Sequence, residues 1–250
     1  MSVTALHPVD PRVPRVRGPR SPRSWLVIVA LLGLSIVPLT AGTLRLIQLA
    51  GGPEILPADP RISFSPVPIV IHIVCAAVYA LLGILQFLPA FRVRHRAWHR
   101  GAGRVLAAAG LLVAGSAVWM TLAYARQPGT GDMLFFSRLV FGTALAAFLV
   151  LGITAVRRGD LIAHRAWMIR AYAIAIAAGT QVFTEGFSES IFGAGPLQDD
   201  LAKVSAWVIN LLIAEWIIRG RRPIRSGRGR ARSAGRPRRA QGAVAARAAS

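Results

Sequence analysis

The chain is short of acidic residues and of most reactive side chains. Ten Asp and Glu stand against thirty Lys and Arg, and only Lys203 among the thirty is lysine. A single cysteine, Cys75, excludes a disulfide scaffold. Charged residues make up 16% of the chain, well below the roughly 25% of a soluble domain. No Gly-x-Ser-x-Gly, His-Glu-x-x-His or phosphate-binding glycine loop occurs, so a soluble-type hydrolase has no support. What the chain does have is apolar residues, 54% of 250, and a mean hydropathy of +0.52. That fraction excludes a disordered basic protein. The apolar residues come in long blocks with arginines between them, the pattern of a multi-pass helical membrane protein.

A helical span needs about 20 mainly apolar residues to cross roughly 30 Å of hydrocarbon. Six stretches qualify, at roughly 25–49, 67–90, 101–124, 137–156, 165–184 and 201–218. The first is too long for a cleaved signal peptide and no Ala-x-Ala site closes it, so it reads as an uncleaved helix with Pro38 tolerated inside. The segments between spans alternate in charge. The N-terminal tail carries +4, the segment around Arg92–Arg104 +5, that around Arg157–Arg170 +3, and the tail from Arg219 onward eleven arginines. The intervening segments carry 0, +1 (including Arg126 and Arg138) and −3. The positive-inside rule then places both termini in the cytoplasm and the chain in the cytoplasmic (inner) membrane. The expected fold is all-α, six transmembrane helices in a bundle.

Residues 1–24 and the Arg-rich 219–250 have almost no large apolar side chains and are expected to be disordered. Arg228-Gly-Arg230-Ala-Arg232 has the look of a nucleic-acid-binding segment, but no aromatic residue interleaves for base stacking. The reading preferred is a topology anchor drawn to anionic phospholipids, with nucleic acid not expected as a partner.

Small residues let helices approach in lipid. Ala171, Ala175 and Gly179 in span 5, Gly142 and Ala146 in span 4, and Gly103, Ala107 and Gly110 in span 3 read as packing faces. Span 4 is otherwise apolar and reads as lipid-facing or as scaffold. Span 2 differs. His72, Tyr79 and Gln86 recur every seven residues beside Gly83, forming one polar stripe ~21 Å long. Such groups face the bundle interior or a wet cavity. They serve either as interhelical hydrogen-bond glue or as a ligand or proton path, the latter needing waters to bridge the gaps.

His95-Arg96-Ala97-Trp98 and His164-Arg165-Ala166-Trp167 are the same tetrapeptide, each opening a helix from the arginine-rich side. His99-Arg-x-x-Gly-Arg104 and His164-Arg-x-Trp-Met-Ile-Arg170, together with His72, Gly83 and Gln86, resemble the bacterial predicted membrane proteins of domain-of-unknown-function family twenty-three-oh-six. Trp207-Val-Ile-Asn210 and Ala214-Glu215-Trp216 are similar to that family's last helix, and the resemblance covers roughly residues 67–218. Gln181 departs from it, standing where an arginine is expected. The resemblance implies a multi-pass membrane fold and no established activity.

Three readings of the histidine–arginine cluster stand side by side. It is an interfacial belt of snorkelling Arg and headgroup-level Trp, or an anion and lipid-headgroup site, or a place for haem b, quinone or a metal. A metal would draw on His95, His99 and His164; haem would take His99 and His164. Glu215, near the arginine-rich end of span 6, needs a partner, and Arg104 and Arg170 are the candidates. Three function classes follow: a membrane protein holding a small ligand between spans 2, 3, 5 and 6, a proton-coupled transporter, and a lipid-binding accessory of a membrane complex. None demands a stand-alone enzyme. The transporter reading lacks broken helices with paired Gly/Pro interruptions and clear inverted repeats.

The charge alternation makes a direct prediction. Reporter fusions at residues 58, 130 and 195 report the extracytoplasmic side, and fusions at 97 and 160 the cytoplasmic side. A cytoplasmic signal at 195 removes the six-span arrangement.

Overall fold

A computed structural model of the chain describes residues 23–126 and 129–220. Among these, every regular element is helical: α1 (Arg23–Leu49), α2 (Pro60–Phe64), α3 (Val67–Gln86), α4 (Pro89–Arg94), α5 (Arg96–Ala123), α6 (Asp132–Arg157), α7 (Leu161–Ala175), α8 (Ala177–Phe192) and α9 (Pro196–Gly220). Five are long and apolar enough to cross a membrane, and α7 with α8 makes a sixth span bent by 47°. The expectation of disordered tails lies outside the described residues, except that Arg23, Ser24, Arg219 and Gly220 are helical.

Several boundaries move from where the apolar runs placed them. Span 2 stops at Gln86, because Pro89 cannot extend a helix and starts the short α4 instead. Span 3 starts at Arg96, which puts His99 inside its first turn. Span 4 starts at Asp132, more than a turn early, so Arg138 lies well inside the helix and not at its first turn. The reversal from α6 to α7 takes few residues. Gly159 adopts φ +79°, and the Asp160 and Gly159 amides return to the Ala155 and Val156 carbonyls. Asp160 then caps α7 by accepting from the Ala163 amide at 2.8 Å.

The core lies where α3, α5, α6 and α7 meet. Tyr79, Ile84, Leu106, Val113, Leu145, Leu149, Ala171 and Tyr172 are among its buried members. α3 packs on α5, α5 on α6, α6 on α7, and α7 returns to α3, while α9 lies against α6, α7 and α8, and α1 against α3 and α8. Span 4 is therefore scaffold: Leu134 and Leu149 are each 1% exposed. Gly110, Gly142 and Gly179 act as packing residues as expected, whereas a Cβ on Gly103 would meet nothing within 4 Å. A Cβ on Gly110 would sit 2.7 Å from the Tyr79 ring and 2.8 Å from Leu149, and one on Gly83 would overlap the ring of Tyr172.

Span 5 holds the main departure. The chain bends at Ile176 with neither Gly nor Pro at the break. The cause is a side chain from α9 placed at the break. The Asn210 amide donates to the Ala173 carbonyl at 3.0 Å and accepts from the Thr180 hydroxyl at 2.9 Å. No Gly/Pro pair marks this break, because a distant residue bonds across it. Beyond it, α8 runs so close to α1 that a Cβ on Gly179 would overlap the Leu34 carbonyl.

That contact is with backbone, which no rotamer change relieves. Gly179→Ala is expected to cost about 1–3 kcal/mol, the range for overpacking. Gly186→Ala, with open space at its Cβ, is expected to be neutral or up to about 1 kcal/mol stabilising through helix propensity. Unfolding in detergent, followed by circular dichroism, separates the two. Equal stabilities would contradict the close approach of α8 to α1.

Candidate functional site

The stripe on α3 faces the bundle. The His72 Nδ1 lies 3.1 Å from the Ser116 hydroxyl, which donates its only proton to the Leu112 carbonyl at 2.6 Å. The contact ties α3 to α5 through a hydrogen bond between the two side chains. Seven residues on, Tyr79 packs over Gly110. These two pairs set the antiparallel register of α3 and α5, and Gln86 then falls opposite Gly103. A Cβ on Gly103 would meet nothing within 4 Å, so there is space opposite Gln86. His99 is one turn further along α5, ~6 Å in axial level.

The two polar groups at this end are both unsatisfied. Among the described residues, the Gln86 Nε2 and the His99 Nδ1 are buried without a hydrogen-bond partner. The charges of Arg92 and Arg100 and the imidazole of His164 reach His99. His164 begins α7 at nearly the same level, counting eight residues back from Tyr172, whose hydroxyl donates to the Ala80 carbonyl of α3 at 2.8 Å. The His164 Nδ1 lies 2.8 Å from the Gly152 carbonyl and donates to it, leaving Nε2 as an acceptor. His95 stands apart: it is exposed, precedes α5 and has its ring 4.8 Å from that of Phe91.

The structure does not bring the three inner histidines into a metal site. Among the described residues no three His, Cys, Asp or Glu side chains are grouped to hold an ion. The interior between spans 2, 3 and 5 is closely packed. The gap bounded by Ala76, Tyr79, Ala80, Val113, Ala175 and Ile176 is about 10 Å³, at the lower limit for one water. A porphyrin does not fit there, because glycines and alanines draw α3, α5 and α7 together.

Glu215 takes Arg170. The Arg170 Nε donates to its Oε1 at 2.5 Å, the guanidinium lies 4.7 Å from the Trp167 ring centre, and Arg219 approaches the second oxygen at 3.6 Å. Arg104 is exposed, on a helix that does not neighbour α9, and so is not the partner. Gln181 uses its amide on the Lys203 carbonyl at 3.3 Å, a neutral bond where a charge was expected.

Four residues that organise the molecule escaped the sequence reading as such. Tyr172 was hidden in an apolar run, though a tyrosine in a span is itself a signal. Asn210 was noticed only as part of a motif. Ser116 carried no signal of its own in the sequence. Asp200 was counted as an outer charge; it is 1% exposed and accepts from the Gly131 and Leu134 amides at 3.1 and 3.0 Å, capping α6 from α9. A Cβ on Gly131 would lie 2.6 Å from that carboxylate.

The model of a family described as predicted membrane protein, DUF2306, matches residues 69–218, more than half the chain. The chain belongs to this family. The DUF2306 region takes in the α3 stripe, both histidine–arginine motifs, the break at Ile176 and the Arg170–Glu215 pair; α1 precedes it. No curated protein and no solved structure matches the chain.

The ion pair in this DUF2306 chain makes a prediction. Arg170→Met leaves Glu215 with only the more distant Arg219 and is expected to cost about 1.5–3 kcal/mol, as for a hydrogen bond to a charged group. Arg170→Met with Glu215→Leu recovers most of that loss. Arg104→Met stays within about 0.5 kcal/mol of the parent. A double variant no more stable than the single one would show that the pair is not what holds these helices.

Proposed function

We propose that the protein is a membrane-embedded binding protein for a small ligand whose polar head presents hydrogen-bond-accepting oxygen, as a quinone carbonyl does, at the arginine-rich end between α3 and α5. The observation that carries this reading is the pair of buried, unsatisfied groups, Gln86 Nε2 and His99 Nδ1. Each such group costs about 1–3 kcal/mol, and one acceptor lodged opposite Gly103 satisfies either. Arg92 and Arg100 near His99 favour an electron-rich head. His164 adds an acceptor nitrogen at the same level. The charge distribution supports a cytoplasmic position for this end and for both termini in a bacterial inner membrane, with anionic phospholipids against the basic segments.

A second reading, a proton-coupled carrier, draws support from the broken span at Ile176, since interrupted helices mark substrate paths in many transporters.

The ligand reading is tested with the chain in phosphatidylcholine nanodiscs and a short-chain benzoquinone, read by quenching of tryptophan fluorescence; Trp98 and Trp167 adjoin His99 and His164. Saturable quenching is expected, weakened about tenfold or more by Gln86→Leu or by His99→Ala, equivalent to about 1.4 kcal/mol. Gln86→Leu is also expected to raise thermal stability, because it removes an unsatisfied buried amide. A destabilised Gln86→Leu variant that binds as the parent does would overturn the reading.

A further inference from the structure

The opposite end of the bundle holds a recess that none of the histidine–arginine motifs touches. It opens between the end of α5 and the start of α6, over α2, with a volume of about 30 Å³. Three arginines line it, Arg61, Arg126 and Arg138, together with Tyr124, Thr121 and Thr130. They come from three separate stretches of chain, 61, 121–130 and 138, so their convergence is a product of the fold.

Two of the three arginines are already held. Arg61 grips the Asp59 carboxylate with Nε and Nη2, at 2.8 and 2.5 Å. That hydrogen bond holds the Asp59 carboxyl below its ordinary range, so the pair stays ionised at neutral pH. Arg126 pairs with Asp132 through one nitrogen while lying 4.7 Å above the Phe135 ring. Both keep N–H groups to spare, since a guanidinium has five.

Arg138 has no such partner. It is the seventh residue of α6, ~9 Å along the helix from its start. Among the described residues no carboxylate lies within 4 Å of it. The two acids whose charge reaches it are Asp200 and Glu185. Both are committed elsewhere: Asp200 accepts from the Gly131 and Leu134 amides, and Glu185 lies 3.2 Å from Lys203. Arg61 is also close enough to repel it. A cation at this depth without a direct counter-charge is costly and marks a functional position in membrane helices.

We propose that this recess binds a phosphate oxyanion, with Arg138 as the central ligand and the spare N–H groups of Arg61 and Arg126 completing the site. Three guanidiniums from different directions suit a tetrahedral anion, which presents an oxygen to each, better than a planar carboxylate. The recess opens at the end of the bundle, where the phosphate can be free in solution or carried by a lipid headgroup.

The full chain in phosphatidylcholine nanodiscs, titrated with inorganic phosphate, tests this by isothermal titration calorimetry and by the fluorescence of Trp119, whose ring is 5.5 Å from that of Tyr124. A second preparation in phosphatidylglycerol nanodiscs tests the lipid source. Free phosphate as ligand gives saturable heat in the first preparation. A lipid headgroup gives an altered Trp119 emission and a raised melting temperature in phosphatidylglycerol without added phosphate. In either case Arg138→Gln is expected to weaken the response about tenfold or more, and Arg138→Lys to recover part of it. Arg104→Gln, at the other end, leaves it unchanged. Arg138→Gln removes a charge without an ion pair, so its melting temperature in phosphatidylcholine should equal or exceed the parent's, which shows that the variant is folded. The proposal is overturned if neither preparation responds, or if the Arg138→Gln and parent responses coincide.

Discussion

The approach of α7 to α3 governs the rest of the molecule. Tyr172 lays its ring over Gly83, where any side chain would collide, and donates its hydroxyl to the Ala80 carbonyl. Phe87 closes over the same ring at 4.8 Å between centroids, and Tyr79 lies 5.8 Å away. Lipid offers helices no hydrophobic reason to associate, so contact must come from close backbones and from polar groups with nowhere else to bond. This one contact supplies both. It also sets the axial register that brings His164 level with His99.

The second constraint is that backbone groups in hydrocarbon must be satisfied inside the protein. It explains why polar residues are few and placed at discontinuities. Asn210 serves the carbonyl freed at the Ile176 break, and Asp200 serves the amides at the start of α6. Ser116 ties His72 to α5 while returning its own proton to Leu112. Against this economy, the unsatisfied Gln86 and His99 nitrogens and the uncompensated Arg138 stand out. They lie at opposite ends of a tightly closed interior.

Much of the candidate site was legible beforehand. The seven-residue spacing of His72, Tyr79 and Gln86 showed one interior stripe, because that spacing is fixed by helix geometry alone. Glu215 announced a partner, because a carboxylate within a membrane span demands one. Which arginine it takes was not legible: Arg104 and Arg170 are equivalent by depth, and only the neighbour relations of α5, α7 and α9 separate them. His95, His99 and His164 do not group as a metal site, because His95 stands exposed ahead of α5.

Sequence alone determined that this chain spans a membrane several times, since apolar length and arginine placement are one-dimensional properties set by bilayer thickness and charge. It also determined the family, through His-Arg motifs whose spacing is local. Tertiary structure decided the break in span 5, because Asn210 meets Ala173 from 37 residues away. It decided the capping of α6 by Asp200, 66 residues from Leu134, and the meeting of Arg61, Arg126 and Arg138 around one recess. Such interactions depend on which helices become neighbours and in what register. That depends in turn on where each backbone lets another come close, as Gly83 does for Tyr172 and Gly110 for Tyr79.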